Sequence, residues 1–186
     1  MESHPLQPFL PEGATILMLG SFPPARQRWS MEFFYPNYIN DMWRIFGLIL
    51  HDDKNHFVDE EHRTFRLEAI KQMLQEQGIA LYDTATVVRR LKNTASDKDL
   101  EVVQPTDLSA LVRQLPQLRA IVSTGEKSCL LAAAHFNIAS PRLGDFTPFD
   151  FEGRSLRLYR MPSSSRAYPL RLEKKAEYYQ RLFCSL

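Results

Sequence analysis

Two segments far apart in the chain concentrate the residues able to do chemistry. Gly20-Ser21-Phe22-Pro23-Pro24 closes the apolar run Ile16-Leu17-Met18-Leu19. An aromatic-rich stretch follows it, Phe33-Phe34-Tyr35-Pro36-Asn37-Tyr38-Ile39-Asn40-Asp41-Met42-Trp43. The second segment, Met161-Pro162-Ser163-Ser164-Ser165-Arg166-Ala167, closes another apolar run near the C-terminus. Each reads as a strand ending in a loop of small, polar and proline residues, with a helical pattern beyond. If both strands lie in one parallel sheet, both loops open at its carboxyl edge, where open α/β folds build their sites. The resulting cleft would hold an amide, a row of hydroxyls and backbone N–H groups, which together can bind anions and stabilise developing negative charge.

Each of these features also has a plain structural reading. Gly20 lets the backbone turn sharply and lets a ligand approach closely, yet Gly-Ser turns are often only structural. The glycine pattern fits neither a P-loop nor a dinucleotide fingerprint. Aromatics can stack on a splayed base or form core, and core is the expected fate of Trp43, which starts an apolar helical stripe. Asn40 sits where an N-cap belongs, and spacing alone favours the cap. Ser163–Arg166 reads as an anion site at a helix start, against a Ser-rich cap with a solvated Arg. Asp83, at the end of Ile79-Ala80-Leu81-Tyr82-Asp83, could orient a water or cap a turn. His51, His56 and His62 lie among acids at spacings of no familiar metal motif, so a solvated face is expected and no metal site is assigned. No Ser–His–Asp arrangement is readable, because no His falls in a strand-end loop.

The elements that must position these residues alternate. Strands are predicted over Thr15–Gly20, Ile79–Val88, Arg119–Thr124 and Leu156–Met161. Helices are predicted over Asp41–Leu50, His62–Gln77, Asp107–Leu115 with Thr106 as N-cap, Glu126–Phe136 and Leu170–Phe183. This alternation implies parallel βαβ units with helices on both faces of a sheet. His51–Glu61 and Asn93–Lys98 read as connections. Gly144–Gly153 sets aromatics between acids and reads as a hydrophobic lid or wall packed on the last strand.

Composition narrows the class. The 186 residues suit one domain, and 44% apolar with 24% charged residues is ordinary for a soluble globular protein. The 23 basic and 22 acidic side chains nearly cancel, so attraction to nucleic acid must come from a local patch. No apolar run reaches the ~18 residues that span a bilayer, and no signal peptide pattern opens the chain. Cys129 and Cys184 both fall in apolar helical patterns, so two buried thiols in a reducing, cytoplasmic setting are expected.

Taken in order, these pieces resemble the uracil-DNA glycosylase superfamily, and within it the hypoxanthine-DNA glycosylase branch and the similar mismatch-specific enzymes. That branch has Leu-Gly-Ser-Phe-Pro, matched by Leu19-Gly20-Ser21-Phe22-Pro23, and Asn-x-Phe-Trp, matched by Asn40-Asp41-Met42-Trp43. Its Leu-Pro-Ser-Thr-Ser-Pro-Ala is similar to Met161–Ala167, its Gly-Ile-Ala-Leu-Trp-Asp to Gly78–Asp83, and its Pro-Asn-Asp-Phe to Pro105–Leu108. The resemblance implies one domain over residues 1–186, a three-layer α/β/α sandwich on a short, mainly parallel four-stranded sheet. It also implies a monofunctional DNA glycosylase acting on DNA with a damaged base, with no cofactor and as a monomer. Asn40 would be the catalytic amide with Asp83 beside it. Gly20, Ser21, Phe22, Tyr35 and Ser123 would line the base pocket, and Pro162, Ser163, Ser164, Ser165 and Arg166 would form the DNA loop.

Departures from the pattern are specific. Relatives place Pro two residues before the catalytic Asn, whereas Pro36 precedes Asn40 by four, which makes Asn37 a rival. Ser123-Thr124-Gly125 stands where relatives carry Phe-Asn-Gly, so the amide that reads the base edge is lost, and Arg166 replaces a Pro. Two other functions compete with the enzyme: a silent nucleic-acid or nucleotide-binding module on the same fold, and a small-molecule enzyme using Asp83 or the Ser-rich loop. A pocket lined by Asn40, Phe22 and Ser123 would favour the glycosylase.

Overall fold

A computed structural model describes residues 1–92, 94 and 96–186. Its centre is a five-stranded sheet in the order β5 (Ile79–Asp83), β2 (Ile16–Gly20), β8 (Ala120–Thr124), β10 (Arg154–Met161), β9 (Phe146–Phe151). The first four run parallel, and β9 pairs antiparallel with β10 at the edge. β2, β5 and β8 are buried along their whole length. They therefore read as continuous Ile, Leu, Val and Ala runs, as parallel strands covered on both faces do.

Helices α1 (Met42–His51) and α2 (Leu67–Gln77) follow β2, α3 (Leu108–Arg113) precedes β8, α4 (Glu126–Phe136) follows it, and α5 (Leu172–Cys184) ends the chain. With right-handed crossovers this order sends α1 and α2 to one face and α3 and α4 to the other, and α5 packs on α1. The result is the expected α/β/α sandwich. The strand order reverses between the parallel strands β2 and β8, the chain winding outward to β5 on one side and to β10 on the other, so the switch point of the sheet lies at their carboxyl ends, Gly20 and Thr124.

The structure corrects several sequence expectations. The sheet has five strands because Phe146–Phe151, read as a lid or wall, is the edge strand β9. Its Pro148 faces Arg157 across the ladder, and an edge strand tolerates proline. The run Ile79–Val88 is two strands. At Thr84 the chain leaves the sheet, its N–H bonded to Gly20 O (2.9 Å), and continues as β6 (Ala85–Arg90). β6 lies between β1 (Glu2–Ser3) and β7 (Leu100–Pro105) in a small antiparallel sheet.

The expected helix over His62–Gln77 starts only at Leu67, because Thr64–Phe65 (β4) pairs with Val58–Asp59 (β3). That pairing buries Phe57 and Val58 inside what reads from sequence as a charged connection. α3 is capped by Asp107, whose Oδ1 accepts from Ala110 N at 3.1 Å, and not by Thr106. Thr106 Oγ1 instead donates to Asp83 O (2.7 Å). Cys129 is buried, whereas Cys184, in the last turn of α5, is exposed. Of the expected loop Asn93–Lys98, Asn93 and Ala95 lie outside the described residues, and Asp97–Asp99 forms a short 3₁₀ turn. Among the described residues, no helix is long and apolar enough to cross a membrane.

Candidate active site

At the switch point, a cleft of about 680 Å³ opens over the carboxyl ends of β2, β5, β8 and β10. Gly20, Ser21, Phe22, Tyr35, Asn40, Asp83 and Ser163–Ser165 all line it. At Gly20 a Cβ atom would stand 2.5 Å from Asp83 Oδ1. The glycine therefore makes room for a carboxylate reaching across from the neighbouring strand, not for a ligand directly. The other oxygen, Asp83 Oδ2, lies 2.7 Å from His4 Nε2.

Tyr35 forms the wall beside Asp83 and has φ +50°. A bulky residue in the left-handed region is strained, and such strain collects at functional sites. Thr124 Oγ1 donates to Leu19 O (3.2 Å), so its 2.8 Å bond with Tyr35 runs from the phenol to Thr124. Burial first, and then the charge of Asp83, push the Tyr35 phenol far above its ordinary pKa, so it stays a neutral donor. Asn40 lies beyond it at the entry to α1. Its Oδ1 accepts from Met42 N at 2.9 Å, while its Nδ2 has no hydrogen-bond partner among the described residues. Asn40 thus bonds the first turn of α1 from one residue outside the N-cap, which is Asp41 and makes no side-chain cap bond, and the donor end of the Asn40 amide stays uncommitted.

The Ser-rich loop is fixed from behind. Lys175 of α5, fully buried, donates to Asp41 Oδ2 (3.0 Å) and Ser165 O (2.8 Å). Asp41 N donates to Ser164 O (2.9 Å), and Tyr179 OH donates to Pro162 O (3.0 Å). Arg44 donates to the carbonyls of Tyr38 (2.7 Å) and Asn40 (3.0 Å). One buried cluster thus ties the Asn40 loop to the Ser loop. Ser163 and Ser165 hydroxyls accept backbone N–H groups (3.2 Å each), leaving their own protons free to donate.

Opposite stands a charged wall. Ser21 Oγ donates to Asp97 Oδ1 (2.6 Å), Lys127 Nζ donates to the carbonyls of Asp97 (2.8 Å) and Leu100, and Arg90 donates to Pro23 O (2.6 Å). Burial holds the Asp97 carboxyl above its ordinary range. The Ser21 bond and the Lys127 charge oppose the shift, and Asp83 adds to it. A carboxyl whose pKa rises on folding costs stability when ionised. That cost is present above the folded pKa and fades as pH falls to the unfolded value of about 3.9. Asp97→Asn is therefore expected to melt above the wild type at pH 7, with the gap closing toward pH 4. A gap independent of pH would refute the assignment of the shift to this carboxyl.

Not every expected site residue reaches the cleft. Ser123 is fully buried and points away, because alternation along β8 turns it toward α4 and Cys129 while Thr124 takes the cleft side. Pro162 is buried behind the loop, and the half-exposed Arg166 turns to Asp41 (Nε–Oδ1 3.2 Å). Nor does the Ser loop sit on a helix N-terminus: Tyr168 and Leu170 make turns first, and α5 begins only at Leu172. Asn37 also lines the cleft, its Oδ1 accepting from Ile39 N (3.2 Å). His4, Asp97, Lys127 and Lys175 were not singled out from sequence. Only Lys175 left a signal there, a lysine on the apolar stripe Leu172, Ala176, Tyr179, Leu182.

No family model matches the chain, and no curated protein does. Among solved structures, the chain is similar to a Methanosarcina acetivorans protein provisionally described as a uracil DNA glycosylase. The two share 20% identity at a TM-score of 0.62, over 97% of this chain and 96% of that one. At that identity the likeness carries the fold.

Proposed function

We propose that this chain is a monofunctional DNA glycosylase that hydrolyses the N-glycosidic bond of a deaminated base, uracil or hypoxanthine, flipped out of DNA. The observation that carries the reading is the convergence of Asn40, Asp83 and the Ser163–Ser165 loop on one cleft floored by Gly20–Phe22. The fold shared with the Methanosarcina acetivorans protein supports it.

The geometry suits the reaction. A base reaches such a cleft only after leaving the stack, at a cost of roughly a few kcal/mol. Breaking the bond puts positive charge on the sugar and negative charge on the departing base. The uncommitted Asn40 amide donor meets the second, and the Asp83 carboxylate meets the first while holding the attacking water. Phe22 and Tyr35 supply apolar walls, and the Ser163 and Ser165 hydroxyls suit phosphate oxygens. This chemistry calls for no cofactor or metal. We assign Pro162 a supporting place behind the DNA loop and Arg166 its outer, solvent-facing rim. Ser123 we drop from the pocket in favour of Thr124.

Duplexes carrying a single uracil, hypoxanthine or xanthine, treated with alkali after incubation, read out the reaction. Strand scission at one of them, requiring no added metal, is expected, with the xanthine duplex separating deaminated purines from uracil. DNA binding without scission of any duplex would instead support the silent binding module on this fold. Indifference to DNA altogether would point to a small-molecule enzyme.

A further inference from the structure

His4 is the least expected part of the cleft's surroundings. The first ten residues run across the outside of β5 and β6. Glu2 and Ser3 pair with Val88 and Val87, His4 N bonds Thr86 O (2.8 Å), and Phe9 bridges Leu81 in both directions (3.0 and 2.9 Å). This strap inserts the His4 side chain, only 2% exposed, between the rings of Phe22 (5.2 Å) and Tyr82 (4.7 Å), with Phe34 at 6.2 Å. The ring is oriented at both ends. Nδ1 sits against the Leu6 backbone, 3.0 Å from its carbonyl oxygen and 3.1 Å from its N–H, and the Asp83 carboxylate, which can only accept, requires a proton on Nε2, 2.7 Å from Oδ2.

A histidine enclosed by aromatics, with one nitrogen held by backbone and the other on a carboxylate, is the arrangement that fixes a carboxylate's rotamer. Here the rotamer matters, because it sends Asp83 Oδ1 across the bare Cα of Gly20 at the cleft floor. The Nε2 bond is the one hydrogen bond that the Asp83 carboxylate makes among the described residues.

We propose that His4 is a positioning residue of the active site, holding Asp83 so that its free oxygen accepts a proton from the hydrolytic water. This deepens the glycosylase reading and rests on it. In the step, the water oxygen bonds to the anomeric carbon, and the carbon–nitrogen bond breaks with its electron pair leaving on the base. One water proton passes to Asp83 Oδ1 and from there to solvent, and the base takes a proton from solvent. His4 keeps its own proton throughout and does not touch the substrate.

The test is a double-mutant cycle on single-turnover base release, with DNA affinity measured on a duplex carrying an abasic-site analogue. Rates are normalised to folded protein by near-UV circular dichroism. His4→Phe keeps an aromatic ring and removes the donor, whereas His4→Gln removes the ring and keeps a donor at similar reach. His4→Phe is expected to slow release about 10- to 100-fold, the scale of a misplaced catalytic group, with affinity unchanged. His4→Gln should regain most of that loss. Asp83→Asn should be at least as slow as His4→Phe, and the double variant Asp83→Asn/His4→Phe no slower than Asp83→Asn alone, since His4 acts only through Asp83. The double variant also carries no uncompensated buried carboxylate, so its comparison with Asp83→Asn, together with His4→Gln, still tests the role if His4→Phe folds poorly. Additive losses, a wild-type rate in His4→Phe, or equal losses in Phe and Gln would each overturn the role of His4 alone. A wild-type chain that releases no base from any duplex would overturn the glycosylase reading, and this inference with it.

Discussion

Asn40→Asp is expected to lower base release by roughly 10²- to 10³-fold, the scale of losing one preorganised donor to a developing anion, while the melting temperature stays at or above the wild-type value. The two measurements separate the two roles that Asn40 plays in the structure. Its Oδ1 bonds the first turn of α1 through Met42 N. Aspartate keeps that acceptor, and its negative charge at a helix start is favourable. What aspartate lacks is the Nδ2 donor, the atom with no partner among the described residues. In its place it puts a negative charge where the departing base becomes negative. Asn40→Ala, by contrast, loses both roles and should cost about 1 kcal/mol of stability as well as the activity. An active Asn40→Asp protein would reduce Asn40 to its bond with α1 and shift the donor role to Asn37, which lines the same cleft. Asn37→Asp in parallel reads that alternative.

That Asn40 is both a partner of the helix start and a candidate donor explains why spacing alone favoured the cap. Sequence patterns report local bonding, and the local bonding of Asn40 is to the first turn of α1. The strands around the site were legible for a related reason: β2, β5 and β8 are buried on both faces, so their apolar runs are unbroken. The same signal failed at Thr84, where the apolar run continues through a change of sheet. That break is made by Gly20 O and by Thr106, both distant in sequence. Edge strand β9 was missed because its alternation Phe146, Pro148, Asp150 includes a proline that only an edge position permits. Ser123 was misplaced by one residue in a period-two element, which is enough to turn a side chain from cleft to core. His4 reaches Asp83, and Asp97 reaches the cleft, by tertiary routes, a strap across β6 and a turn between β6 and β7, and no periodicity encodes either.

Lys175 shows how far a single readable anomaly extends, and its replacement should give the largest stability effect in the molecule. Lys175→Met keeps length and apolar stem but strands Asp41, whose side chain is 7% exposed. Removing one partner of a buried ion pair costs about 3–5 kcal/mol, which for a chain of this size is a fall in melting temperature of roughly 6–20 °C. Arg166 holds the other oxygen of Asp41, but its side chain is half exposed and screened, so it compensates little. The double variant Asp41→Asn/Lys175→Met removes the stranded charge and should recover most of the stability, because buried pairs contribute little net stability over apolar replacements. It should not recover function. The pair also carries the bonds from Lys175 to Ser165 O and from Asp41 N into Ser164 O, and only the second survives the double change. Ser165 O then keeps only the local turn bond from Tyr168 N and loses its tie to α5, and affinity for a duplex carrying an abasic-site analogue should fall several-fold in a protein of near-wild-type stability. A double variant that is both stable and fully competent in DNA binding would show that this cluster is packing alone. A stable but weakly binding one would show that a buried charge pair is retained here to hold two loops in register.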